Sequence, residues 1–114
     1  MTDIDAIVKK LLAEEKYAVD VEHIENGKNK VRKIFVTDVL HVLFSEKSKH
    51  YEGTSLDKKL VIFSEGYDSD NRMIRVVSRL IDAEGEIIFS VMYADLSEKI
   101  LSKTAYELKK GDEK

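Results

Sequence analysis

The chain has no cysteine and no proline, and its five glycines are spread along 114 residues rather than clustered. It also has no long apolar run and no excess of positive charge. Without cysteine there is no disulfide framework, no thiol nucleophile and no thiolate metal site, a composition that fits a reducing cytoplasm. Missing proline and scattered glycine leave no linker signal, so a single domain over residues 1–114 is expected. The longest apolar stretches, "VLHVLF" and "LVIF", fall far short of the roughly 20 residues that a spanning helix needs. Asp3 and Asp5 stand where a secretory leader would carry basic residues, and no leader is expected. A formal net charge of −3 argues against a non-specific DNA binder.

Motif chemistry is as sparse. No glycine-rich phosphate loop, Gly-x-Gly-x-x-Gly fingerprint or His-Glu-x-x-His helix is present, so neither a nucleotide cofactor nor a zinc-hydrolase centre is expected. The three histidines, His23, His41 and His50, fall in separate segments and give no metal-ligand spacing.

What is present reads as a small α+β domain. At this length a real core needs no metal or disulfide staple, and a 43% hydrophobic, 36% charged composition suits a compact fold. Ile4, Ile7, Val8, Leu11 and Leu12 recur at helical spacing behind Thr2 or Asp3 as cap, predicting an amino-terminal helix over residues 1–16. The α+β body then covers 17–110 and a tail 111–114. In "YAVDVEHI" the period falls to two, predicting a strand over Tyr17–Ile24. Residues 25–36 carry a hairpin signal at Asn26-Gly27 and the basic run "KNKVRK", and fit either a hairpin or the opening of a helix. Thr37 caps a short helix carrying His41, Ser45–Lys58 is a polar loop or edge, and "KLVIFS" is a central strand.

Arg72–Ile81 and Glu86–Tyr93 alternate as two strands joined by "DAEG". Pairing Ile81 with Glu86 sets Arg75 opposite Met92 and Arg79 opposite Ile88, and gathers Ile74, Val76, Leu80, Ile87, Phe89, Val91 and Tyr93 on the core face. Arg75 and Arg79 then share the less apolar, exposed face. Asp95 and Glu98 suit the start of a closing helix whose stripe is Leu96, Ile100, Leu101, Ala105 and Leu108. The expected architecture is an antiparallel sheet of three to four strands with helices packed on one face.

Two groups of side chains invite chemistry. His50, Tyr51 and Glu52 are consecutive groups capable of proton transfer, although polar residues also gather in ordinary loops. Arg72, Arg75 and Arg79 offer guanidinium groups to phosphate, although sheet-surface arginines commonly only cover apolar neighbours with their stems.

"RKIFVTDVLHVL" resembles the helical motif of small BrnT-like proteins and their relatives in the RelE-like toxin superfamily. "GYDSDNRMIRVV" is similar to the "G…GR.L.VV" strand of those families, and "EIIFSVMYADLSEK" to their closing strand and terminal helix; the likeness spans about Val19 to Tyr106. Val91-Met92-Tyr93-Ala94 replaces the usual closing-strand Ser-Ala-Arg and Lys33 replaces a glycine, while "SVMY" is nearer the "TVY" ending of related uncharacterised domains. The resemblance implies a RelE-like fold and metal-independent endoribonuclease activity of a toxin-antitoxin type, with RNA as substrate, an antitoxin as partner and no cofactor. It carries over only Arg72, from the "GR" motif. Chemistry adds Arg75 and Arg79 as phosphate binders and His50, Glu52 or Tyr51 as proton carriers. A non-catalytic protein-interaction module with the same fold is the competing expectation, favoured by the acidic balance and the missing arginine.

Overall fold

The computed structural model describes residues 3–25, 33–55, 59–97 and 106–108. Its elements in chain order are α1 (Ile4–Ala13), β1 (Tyr17–Val19), α2 (Val21–Glu25), α3 (Val36–Phe44), β2 (Lys49–Ser55), β3 (Leu60–Tyr67), β4 (Met73–Ala83), β5 (Glu86–Leu96) and β6 (Tyr106–Leu108). The six strands form one sheet in the order β1-β5-β4-β3-β2-β6. All pairings are antiparallel except β1 with β5. The α+β class is as expected; the sheet is mixed and larger than three to four antiparallel strands.

Local chemistry explains the element boundaries. Asp3 caps α1 by accepting the Ala6 N–H at 3.1 Å, and the helix stops before Glu15, whose φ is +60°. The strand expected over Tyr17–Ile24 ends at Val19 instead. Asp20 accepts the His23 N–H at 3.0 Å through its side chain and the Ile24 N–H at 3.0 Å through its carbonyl, starting α2. Phe35 rather than Thr37 is the N-cap of α3, because Asp38 reaches back to the Phe35 N–H at 2.8 Å. The segment Ser45–Lys58, expected as a loop or an edge, contains β2, a strand flanked by β3 and β6. Asn26-Gly27 and most of the basic run lie outside the described residues.

The β4–β5 hairpin is the spine of the sheet. Its turn is Glu84-Gly85, with φ of +54° and +87°, the two consecutive positive values of a type I′ turn. A two-residue loop replaces the four-residue "DAEG" loop, so Ile81 pairs with Ile88 rather than Glu86, and Arg79 with Ser90. A β-bulge then changes the register, so that Ser78 faces Val91 but Val77 faces Tyr93. Because side chains alternate with period two, the extra residue Met92 reverses the faces of the residues beyond it. Ala94 turns toward the helices, and Tyr93 and Asp95 turn away. Asp95 and Leu96 therefore belong to β5, paired with Arg75 and Ile74, and do not open a helix. Ser97 is helical directly after β5, Tyr106–Leu108 form β6, and the remainder of the expected closing helix lies outside the described residues.

Each face has its own core. Val8, Leu11 and Leu12 of α1, Ile24 of α2 and Val39, Val42 and Leu43 of α3 pack with Ile62, Ile74, Val76, Phe89 and Val91 on the first face. The second face gathers Val61, Phe63 and Val77 with Tyr51, Met92 and Tyr93. Gly66 faces Ser48 and Val42, where an added Cβ would stand 3.4 Å from a side-chain carbon of each.

Candidate functional site

Register decides where the charged groups of the sheet meet. Lys49 is paired with Glu65, Glu65 with Arg75, and Arg75 with Asp95, which makes one transverse row of alternating charge across β2, β3, β4 and β5. The adjoining row, two residues along each strand, is Tyr51, Phe63, Val77 and Tyr93. Neither row is visible in the sequence, since their members come from four separate segments. The β5 bulge is what aligns Asp95 and Tyr93 with them.

Arg75 is the centre of this face. It is only 4% exposed, and its Nε donates to Glu65 Oε2 at 3.0 Å while Nη2 contacts the same oxygen. The guanidinium carbon lies 5.5 Å from the centroid of the Tyr51 ring and 5.4 Å from that of Phe63, a cation held against two aromatic rings. Its remaining nitrogen, Nη1, is buried without a hydrogen-bond partner among the described residues. Glu65 also accepts the Ser97 hydroxyl at 2.6 Å. Asp95 is fully buried and accepts the Tyr93 hydroxyl at 3.2 Å and the Leu96 N–H at 2.7 Å. At the outer edge, the exposed His23 of α2 sets its ring edge-on to Tyr93, with centroids 5.4 Å apart and planes at 81°.

The six residues singled out from sequence are distributed differently from the expectation. Arg75 is buried and ion-paired rather than exposed, because β3 supplies Glu65 directly opposite it. Arg79 is half-buried on the same side of β4, with its Nε lacking a partner among the described residues. Four residues of strand put the two arginine Cα atoms about 13 Å apart, and Arg75 is turned onto Glu65, so they do not form one bidentate clamp. Arg72 clasps the β3–β4 turn. Its Nε donates to Asp68 at 2.8 Å and its Nη2 to the Lys33 carbonyl at 3.1 Å.

His50, Tyr51 and Glu52 do not form a cluster. Consecutive residues of β2 point to opposite faces. Tyr51 joins the charged face, while His50 and Glu52 take the helix side. His50 is buried with its Nδ1 2.7 Å from the Ser64 hydroxyl, and its N–H donates to Asp5 at 3.1 Å. Burial lowers its imidazole to about 4, with the Asp5 carboxylate opposing and Lys9 adding to that shift, so it is neutral near pH 7. At Asp5, burial pushes the carboxyl up, but hydrogen bonds from Lys9 and the His50 amide outweigh it and leave the group below its ordinary value.

Glu65, Tyr93, Asp95 and His23 are the members that sequence reasoning missed. The one available signal was Glu65 at the polar end of "VIFSEG", a carboxylate continuing a buried strand. Among the described residues no group of three His, Asp or Glu side chains could hold a metal ion, and no helix is long and apolar enough to cross a membrane. In comparisons with known proteins, no family model, no curated protein and no solved structure matches the chain.

Proposed function

We propose that the charged face of the sheet is the site of a metal-independent ribonuclease related to the RelE-like toxins, with its working residues supplied by β3, β4 and β5 rather than by the His50 segment. The observation that carries this reading is the meeting of a carboxylate, a buried guanidinium and a carboxylate-bound phenol on one face: Glu65, Arg75, and Tyr93 on Asp95. Cleavage forms a bond from the ribose 2′-oxygen to phosphorus and breaks the bond from phosphorus to the 5′-oxygen. Glu65 takes the proton of the 2′-hydroxyl, and its ion pair with Arg75 loosens as that proton arrives. The guanidinium, including Nη1, which has no hydrogen-bond partner among the described residues, then faces the non-bridging oxygens as their charge grows. Asp95 holds the Tyr93 hydroxyl in place.

A second reading, a protein-interaction module without catalysis, has its own observation. The row Lys49, Glu65, Arg75, Asp95 is formally neutral, so it offers RNA no net attraction. An antitoxin or other protein partner belongs to either reading, whereas a membrane belongs to neither.

The decisive experiment incubates the purified protein with mixed-sequence RNA in excess chelator. Cleavage products ending in 2′,3′-cyclic phosphate, lost on Glu65→Gln, are the expected result. Intact RNA at high protein concentration would leave the interaction module as the reading.

A further inference from the structure

We infer that His23 is the proton donor of this site, delivering a proton to the departing 5′-oxygen of RNA. The inference rests on the cleavage reading above, which names a base and a cation and assigns no acid. On the charged face Arg75 and Asp95 are buried, at 4% and 0% exposure, and Tyr93 is half-buried with its hydroxyl on Asp95. His23 and Lys49 are the exposed proton donors of that face. Lys49 stands beside Glu65, the base, at the β2 end of the row, whereas His23 stands at the β5 end, on the other side of Arg75, and exchanges protons with water directly. Imidazole is also the side-chain type suited to donating and recovering a proton near neutral pH. Of the other two histidines, His50 faces the helices, and His41 sits exposed on α3, the helix that packs against the opposite face.

Position supports the role as much as chemistry does. β1 lies parallel against β5, the Asp20 N–H donates to the Val91 carbonyl at 3.0 Å, and the fully buried Ile24 anchors α2 in the core. These contacts fix the start of the five-residue helix α2. His23 is thereby held against Tyr93. Tyr93 is in turn two residues from Asp95, the strand partner of Arg75, and its hydroxyl rests on that carboxylate. Charged neighbours are Asp20 and Glu22 on its own segment and Asp95 beyond the phenol on β5. In the step, the 2′-oxygen bonds to phosphorus as its proton passes to Glu65. The bond to the 5′-oxygen breaks as His23 gives its proton to that oxygen, so charge and protons balance.

Two variants and a chemical rescue test the assignment on RNA in chelator. His23→Ala should lower kcat by about 10² to 10⁴ with little change in KM. His23→Phe, which keeps a ring against Tyr93, should be equally impaired. Free imidazole should restore part of the His23→Ala rate and none of the His23→Phe rate, whose ring fills the place. Unchanged circular dichroism and Tm separate lost chemistry from lost folding, since the His23 side chain is exposed. A wild type that never cleaves RNA overturns the ribonuclease reading and this assignment together. An active wild type whose His23→Phe variant retains its rate overturns the assignment of His23 alone.

Discussion

The two faces of this sheet are built from the same strands and solve burial in opposite ways. On the helix-covered face, Phe89, Val91, Ile74, Val76 and Ile62 meet apolar stripes from three helices, and the buried polar side chains His50, Ser64 and Ser78 there are neutral. His50 and Ser64 satisfy each other at 2.7 Å, and the imidazole stays uncharged because burial lowers it to about 4. On the other face the same strands bury a guanidinium and a carboxylate. They tolerate these only because the register sets Glu65 against Arg75 and lets Tyr93 hold Asp95. Burying ions costs more than burying hydrocarbon, and replacing such pairs by apolar residues is often neutral or stabilising. The first face is therefore the one that stabilises the fold, and the second is the one whose chemistry calls for a function.

Breaking each face in turn sharpens that contrast. Phe89→Ala removes the largest fully buried side chain of the first face and should cost about 3 to 5 kcal/mol in denaturant unfolding. A loss below about 1 kcal/mol would mean that the hairpin register is wrong.

The pH dependence of the first face comes next in size. A folded imidazole at about 4 and an unfolded one near 6.5 mean that the unfolded chain binds the extra proton between those values. The contribution of His50 is thus complete above about pH 6.5 and is lost as pH falls toward 4, by something on the order of 3 kcal/mol. His50→Gln should flatten that part of the stability curve relative to wild type. Parallel curves for the two proteins would show that His50 is solvated and free to protonate in the fold.

On the second face, Glu65→Gln leaves the Arg75 charge buried without its counter-ion. Because the Glu65 side chain keeps 23% exposure, the cost should be about 2 to 3 kcal/mol, below the range of a fully buried pair. The double change Glu65→Leu with Arg75→Met should return stability to within about 1 kcal/mol of wild type. A double variant as unstable as the single one would make the ion pair a net stabiliser and weaken the case for a functional face.

The smallest expected effect touches neither face. Gly85 has a φ of +87°, and an added Cβ there would meet nothing within 4 Å among the described residues, so Gly85→Ala should cost only the backbone term of about 1 kcal/mol. A much larger loss would show that the Glu84-Gly85 turn sets the register of both faces at once.

Much of the architecture was legible because it depends on local periodicity. The 3.6-residue recurrence of Ile4, Ile7, Val8, Leu11 and Leu12 declares α1, and the doubly apolar "LVIF" declares a central strand. Asp3 could be read as a cap because capping needs only the next three residues. Where pairing with distant segments outweighed local signals, the reading failed. Asp95 looks like a helix cap until β4 proves long enough to pair with it, and "SKHYEG" looks like a loop until β3 and β6 flank it.

The sequence by itself determined the class of the domain, its apolar stripes and the residue types available for chemistry. These derive from hydrophobic period and side-chain identity, which no partner segment changes. Only the tertiary structure decided which of those residues meet. One residue of bulge at Met92 reverses the faces of Tyr93, Ala94 and Asp95, and cross-strand pairing joins Glu65 to Arg75 over ten positions of chain. The alternation of β2 divides His50 from Tyr51, and the fixed start of α2 delivers His23 to Tyr93. The physical reason is the two-residue period of a strand: a shift of one position leaves the composition unchanged and exchanges the two faces.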